Sequence, residues 1–512
     1  MSRMRRLCCL CVLLLHTAGI APFVEASPPR PWLAHVTLDR SFKGPVSGRL
    51  LVLLAKGTGK KQLAPGLEPG DVWIAAREVD VLAPGEAIDV DLDDVAFPAA
   101  LSTAPPGDYQ AQVFLDVDHS YAYSGPGPGD LFSEPKTLAS LTPAGAETLD
   151  LIVGAEMPAP PAPVPPANVK PLDVHSAVLS AFWGRPMAVR GYVVLPPHYD
   201  ARTKYPTVYW THGFGGTLTD IATAGIPEYN RLLLEKTIPP MIWVLLDESS
   251  PTGTHEFADS VNNGPWGTAL TREVIPYLES HYRMDGRPSG RLLTGHSSGG
   301  WATLWLQVEY PTVFGGTWST APDPSDFRDF TGPNIYAPEA NAYRAADGTR
   351  WPLVRMDGRE VASVEEFARR EVVTGEYGGQ FASFEWVFSP KGADGRPQRL
   401  FDRVTGRIDP DVAAYWGAHF DIANKIEREW PQSRKNLRGK IHVIVGTADT
   451  FHLDQPARLL EERLKKLDAG ATFTYVPGRT HFDLFTEGTD TTAGFKKIAQ
   501  EMYAVARPRK PK

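Results

Sequence analysis

The sequence predicts a doubly wound α/β domain with an inserted cap, preceded by a small all-β, sandwich-like module. Three observations carry that prediction. Continuous apolar runs alternate with helical patterns through the C-terminal two-thirds, short β-rich runs between Gly/Pro clusters fill the first third, and one proline-dense segment divides them. Strands covered on both faces read as unbroken apolar runs, while short strands at regular spacing with turn signals read as a sandwich. At 512 residues the chain is too long for one ordinary core. Its 42% hydrophobic and 22% charged residues are those of a globular protein, and the net charge of −8 without a long basic block argues against nucleic-acid binding.

The N-terminus comes first. Arg3, Arg5 and Arg6 precede an apolar run from Leu7 to Leu15, and Val24 and Ala26 stand three and one before a cleavage point ahead of Ser27. That order predicts a signal peptide over residues 1–26 and export to a periplasm or the medium; the run is too short to cross a bilayer, which takes about 20 residues. Cys8, Cys9 and Cys11, the three cysteines, all lie inside it, so the mature chain is expected to have no disulfide framework and no thiolate metal site. Residues 27–156 hold the sandwich, with strands around "LLVLLA" (50–55), "DVWIAA" (71–76), "YQAQVFLDV" (109–117) and "TLDLIV" (148–153). "DVDHS" (116–120) could hold a cation but reads more simply as a solvated strand end. Whether this module contacts a carbohydrate or polymer, or only supports its neighbour, stays open. "MPAPPAPVPPANVKP" (157–171) reads as an extended polyproline linker.

The α/β domain is expected over 172–506. Its strands are "TVYWTHGFGG" (207–216), "MIWVLLD" (241–247), "GRLLTG" (290–295), "FGGTWST" (314–320) and "KIHVIVG" (440–446), with no later stretch apolar enough for a transmembrane helix. Leu270, Val274 and Leu278 share a helix face that must tolerate Pro276; Trp301, Leu304, Trp305 and Val308 make an amphipathic stripe. The alternation stops for about 120 residues, which predicts a cap over the sheet's C-terminal edge at 321–438, rich in aromatics ("FASFEWVF", "AAYWGAHF"). These aromatics would fit a hydrophobic substrate or simply the cap's own core. Arg507 to Lys512 read as a frayed basic tail.

Chemistry enters at "GHSSGG", Gly295 to Gly300. In G-x-S-x-G the serine sits on so tight a strand-to-helix turn that side chains two before and two after would collide with it. Ser297 has Gly295 and Gly299 at those positions; Ser298 has His296 and Gly300. The spacing therefore selects Ser297 as nucleophile and leaves the Ser298 N–H to an oxyanion. "HGFGG" (212–216) supplies the second oxyanion donor, Phe214 N–H or alternatively Gly213. The acid should follow a strand end. Asp449 in "VGTADTFHLD" occupies such a place, with Asp323 and Asp454 as competitors. His481, in "PGRTHFDLF" after the strand "TFTYV", is the candidate base.

Taken together, "KYPTVYWTHGFGG", "NGPWGTALTREVIPYLESHYR", "GHSSGGW", "GTADTFHL" and "THFDLF" resemble the putative-esterase family of α/β-hydrolases, which includes esterase D, feruloyl and enterochelin esterases and secreted mycolyltransferases. The resemblance covers roughly Val174 to Val505. It implies a serine carboxylesterase without metal or cofactor, in which Ser297, Asp449 and His481 match the triad and Phe214 and Ser298 the oxyanion donors. "HEFADSVNNGPWG" (255–267) matches a stretch bordering the active site, making Asn262, Asn263 and Trp266 substrate-side candidates; for Trp266 core packing is the competing expectation. Serine in place of the methionine frequent after the nucleophile, the longer cap and the added sandwich depart from the pattern. An acyltransferase or peptidase using the same triad, or a secreted binding protein on a hydrolase scaffold, are the other readings.

Overall fold

A computed structural model describes residues 31–161 and 164–508. The signal-peptide reading, residues 1–26, lies outside them. The N-terminal module is two packed sheets. Strand Leu33–Leu38 alternates buried and half-buried residues and pairs with Ala87–Asp91 antiparallel and Leu149–Val153 parallel. Val46–Lys56 is the centre of the larger sheet, between Val72–Leu82 and Gly107–Asp116. Its inward Leu50, Val52 and Leu54 meet Val36, Leu38 and Leu151 across the sandwich. Its other face does not see water either: Leu51, Leu53 and Ala55 pack with Phe114, Tyr121 and Val373, the last from the second module. That double cover is why "LLVLLA" is continuous instead of alternating.

The second module is one eight-stranded sheet. Its strands are β1 (Val169–His175), β2 (Ala188–Val194), β3 (Thr207–Thr211), β4 (Ile242–Leu246), β5 (Arg291–His296), β6 (Gly316–Thr320), β7 (Ile441–Gly446) and β8 (Thr472–Val476). The order is β1-β2-β4-β3-β5-β6-β7-β8. β2 pairs antiparallel with both β1 and β4, and the other pairings are parallel. This is the α/β-hydrolase fold. β1 begins inside the segment read as linker, because Leu172 and Val174 pack on one face of the sheet and Val169 on the other, and Pro171 is tolerated on this edge strand. Pro276 is accommodated where a wide helical turn, Leu270–Val274, hands over to the helix Ile275–His281, with the proline in its first turn.

The helix Ser298–Glu309 is buried on nearly every side, not amphipathic as its stripe predicted. The cap supplies the missing cover. Trp301 and Trp305 stack at 5.3 Å and continue into Phe388, Trp416 and Phe420. Most of the cap's aromatics form this core, each worth about 3–5 kcal/mol if truncated. The cap holds the helices Val364–Thr374, Gln380–Phe388 and Pro410–His419. The helix Ile422–Leu437 packs against Ser298–Glu309 and Asp454–Lys466 as the crossover into β7, so the insertion ends near Phe420 instead of 438. Arg507, read as tail, is tied down: its guanidinium pairs with both oxygens of Asp285 and donates to the Lys204 carbonyl at 2.9 Å.

Candidate active site

β5 ends at His296 and the next helix starts at Ser298, so Ser297 alone reverses the chain. It does so at φ 61°, ψ −125°, a region costing of order 1–3 kcal/mol for a side chain other than glycine. The neighbourhood holds it there: Ser297 N–H donates to Thr320 O at 3.0 Å, and Ser297 O accepts from Trp301 N–H at 3.0 Å. The glycines are steric necessities. A Cβ on Gly295 would stand 2.2 Å from Gly299 O, and one on Gly299 would stand 2.3 Å from His212 O.

At the ends of β7 and β8 the loops bring Asp449 and His481 together, with His481 Nδ1 2.9 Å from Asp449 Oδ2. Asp449 is fully buried. Burial alone would raise its pKa, but the hydrogen bonds from His481 and from the N–H groups of Phe451 (3.0 Å) and Leu453 (3.3 Å) hold it below the ordinary carboxylate value. The competing acids are engaged elsewhere. Asp323 accepts from Ser298 Oγ at 2.6 Å, and Asp454 pairs with Arg355 at 3.1 Å. Ser297 and His481 line one cavity, though their side chains are not hydrogen-bonded to each other; such contacts often close only on substrate.

The loop after β3 faces Ser297. A Cβ on Gly213 would lie 3.0 Å from Ser297 Cβ, so glycine is what lets this backbone approach. His212 braces the loop: Nδ1 donates to Gly213 O at 2.8 Å and Nε2 sits 3.1 Å from Asp247. Burial opposes its charge, but the hydrogen bond to the Asp247 carboxylate and that carboxylate's charge raise its pKa. Phe214 lines the cavity, and Ser298 begins a helix whose first N–H has no partner within it. The cavity holds about 590 Å³ and is walled by Leu353, Phe367, Phe381, Phe384, Phe451 and Phe485 among others.

The family model described as "Putative esterase" matches residues 180–498, well over half of the chain. The chain belongs to the Putative esterase family. A curated esterase of Mycobacterium tuberculosis is 32% identical over 146 residues, which make up 27% of this chain and 30% of that protein. This family member thus spans about a third of the length of the curated relative it matches. Among solved structures, an S-formylglutathione hydrolase from Agrobacterium tumefaciens is 15% identical over 68% of this chain and 98% of its own, with a TM-score of 0.38. A ferulic acid esterase from Anaeromyces mucronatus, with ferulic acid bound, is 17% identical over 66% and 91%, with a TM-score of 0.35.

Three residues expected on the substrate side of this family member are not brought to the cavity. Asn262 and Asn263 are buried, Asn262 donating to Ser389 O at 2.7 Å. Trp266 stacks on His255 at 3.6 Å and donates to Asn263 O, so its surface is spent on packing. Sequence reasoning also missed residues. His296 lies 3.0 Å from both Thr320 Oγ1 and His481 O; burial drops its pKa to about 3, and the neutral ring props the His481 loop. A histidine inside G-x-S-x-G was the available signal. A buried acid cluster lies behind the elbow: burial pushes Asp323 to about 6, Glu248 to about 8 and Glu256 well up. Of these, Asp323 was noted in the sequence only as a competing triad acid, and no pattern tied it to Glu248 and Glu256.

Proposed function

We propose that this protein is an exported serine carboxylesterase that cleaves a carboxylic ester through an acyl-enzyme. The observation that carries the reading is the convergence on one cavity of a serine in the strained elbow conformation and a histidine bonded to a buried carboxylate. With Nδ1–H donating to Asp449, His481 keeps its Nε2 lone pair free to take the Ser297 proton. Ser297 Oγ bonds the carbonyl carbon, and the carbonyl oxygen takes the negative charge between the N–H groups of Phe214 and Ser298. As the C–O bond to the alcohol breaks, His481 returns the proton to the leaving oxygen. Water then repeats the two steps, releasing the acid and restoring Ser297.

The apolar walls support an ester with at least one bulky hydrophobic group. Export rests on the basic, apolar, small-residue order of residues 1–26 and predicts an exported chain beginning at Ser27. The test of the activity is fluorophosphonate labelling of the purified protein, with peptide mass spectrometry across residues 292–310. The expected mark is on Ser297, lost in Ser297→Ala and in His481→Ala. A mark on Ser298, or none on a folded sample that also turns over no activated ester, overturns the reading.

A further inference from the structure

The cavity is not made by the catalytic module alone. Leu67, Ala122 and Tyr123 of the sandwich stand in its wall, beside the cap. Tyr123 rides on the short helix Tyr121–Ser124, and two buried carboxylates shape the loop that carries it. Asp116 accepts the N–H groups of Ser120 and Tyr121, both at 3.0 Å. Asp130 accepts those of Val117 at 3.0 Å and Gly127 at 2.7 Å. The loop thus delivers Tyr123 out of its own sheet onto the turn after β3.

There Tyr123 is gripped on several sides. Its hydroxyl donates to Gly216 O at 2.7 Å. Its ring meets Phe214 edge-on, centroids 5.0 Å apart at 78°. A Cβ on Gly215, which has φ +81°, would lie 3.2 Å from Tyr123 O, and one on Gly378 of the cap would lie 3.1 Å from Tyr123 Cβ. The two modules are clamped beside it: Arg370 donates to Gly66 O at 2.7 Å, and Arg49 donates to Val373 O at 2.8 Å and Val372 O at 2.9 Å. Leu67 is held at the cavity by the same clamp. Burial, with Glu248, Asp247 and Glu256 nearby, lifts the Tyr123 hydroxyl well above 10, so it stays a donor across the working range.

We propose that the sandwich is a working part of the site: Tyr123 is a positioning residue for the oxyanion loop, and with Leu67 it forms the wall that sets which ester group fits. The inference rests on the esterase reading. Hydrogen-bonding the Gly216 carbonyl fixes one end of a short glycine turn, and the ring fixes Phe214 itself. Between them they set the direction of the Phe214 N–H. A donor that matters only when the oxyanion forms acts on kcat and not on substrate binding.

The test compares full-length wild type, Tyr123→Phe and Leu67→Trp on p-nitrophenyl acetate and octanoate, with rates normalised to fluorophosphonate-titrated sites. Tyr123→Phe keeps the ring and removes one hydrogen bond. It should lower kcat on acetate about tenfold, a fraction of the roughly 10²–10³ that losing a whole oxyanion donor costs. KM should stay within about twofold, and fluorophosphonate labelling should slow in step. Leu67→Trp narrows the wall and should depress kcat/KM on octanoate about tenfold more than on acetate. If Tyr123→Phe melts as wild type does and keeps its kcat, the positioning role is overturned. If Leu67→Trp leaves the octanoate-to-acetate ratio unchanged, the wall is overturned. Should Tyr123→Phe fail to fold, the Leu67→Trp ratio still decides the sandwich's part in the site. A wild type inert on every ester overturns the esterase reading as well, which separates the two failures.

Discussion

The floor and the roof of the cavity are built on different principles. The floor, Ser297 with Gly295, Gly299 and Gly213, consists of backbone segments packed so closely that single Cβ atoms would not fit. The roof is side chains: Phe367, Phe381 and Phe384 from the cap, Leu67 and Tyr123 from the sandwich, drawn from three separate stretches. A floor of this kind fixes the reacting atoms to a fraction of an ångström and admits almost no substitution. A roof of this kind fixes a volume and admits many. On the proposed esterase reading, reaction class and substrate choice would fall to different parts of one cavity.

The comparison is sharpened first on the floor. Asp449→Asn leaves the shape of the site intact but places an amide where the carboxylate holds the His481 Nδ1–H. Activity on p-nitrophenyl acetate should fall about 10⁴-fold in kcat with KM little changed, as expected when the wrong imidazole tautomer is favoured. A fall under tenfold would assign the acid to another residue. Gly299→Ala should cost about 10²-fold or more in kcat/KM, since the 2.3 Å approach to His212 O can be relieved only by shifting the oxyanion loop. An alanine variant with wild-type rates would show the floor to be softer than its contacts imply.

This division also decides what could be read from sequence. The floor was legible because its geometry is local: two glycines flanking Ser297, an apolar strand before and a helix after, and a glycine-rich turn at His212–Gly216 are each short patterns with a steric cause. Asp449 and His481 were legible as strand-end residues in the right chain order, and the structure brings them within 2.9 Å. The roof was not legible. Tyr123 reaches the site through a hydrogen bond to a residue 93 positions away, and no periodicity encodes that. Asn262, Asn263 and Trp266 were placed by likeness of a segment alone, without a physical reason, and they went to the core. The run "LLVLLA" carried a signal left unused, since a strand apolar on both faces needs a second cover, which is the cap helix bearing Val373.

On the roof the expected effects are smaller and selective. Phe381→Ala opens the wall and removes edge-on contacts to Phe367 and Phe401 at 5.9 and 5.3 Å. It should raise KM for a bulky ester several-fold more than for the acetate, and cost about 3 kcal/mol of stability in denaturant melts. Equal changes for both esters would mean that the roof does not touch the acyl or alcohol group.

The smallest effect is expected behind the floor, at Glu248. This residue follows β4, and burial lifts its carboxyl from an ordinary value near 4.5 to about 8, with Asp323 and Asp247 adding repulsion and His212 opposing it. The folded state therefore holds a proton that the unfolded chain gives up. Stability from this group is complete below about 4.5 and is lost progressively as pH climbs to about 8, above which the loss levels off. Glu248→Gln, which cannot ionise, removes that slope. Its melting temperature relative to wild type should rise between pH 4.5 and pH 8 by a few degrees, whatever the offset at acid pH. A difference that stays flat with pH would mean that the carboxylate is ionised in the folded state, and that the space behind the elbow is wet.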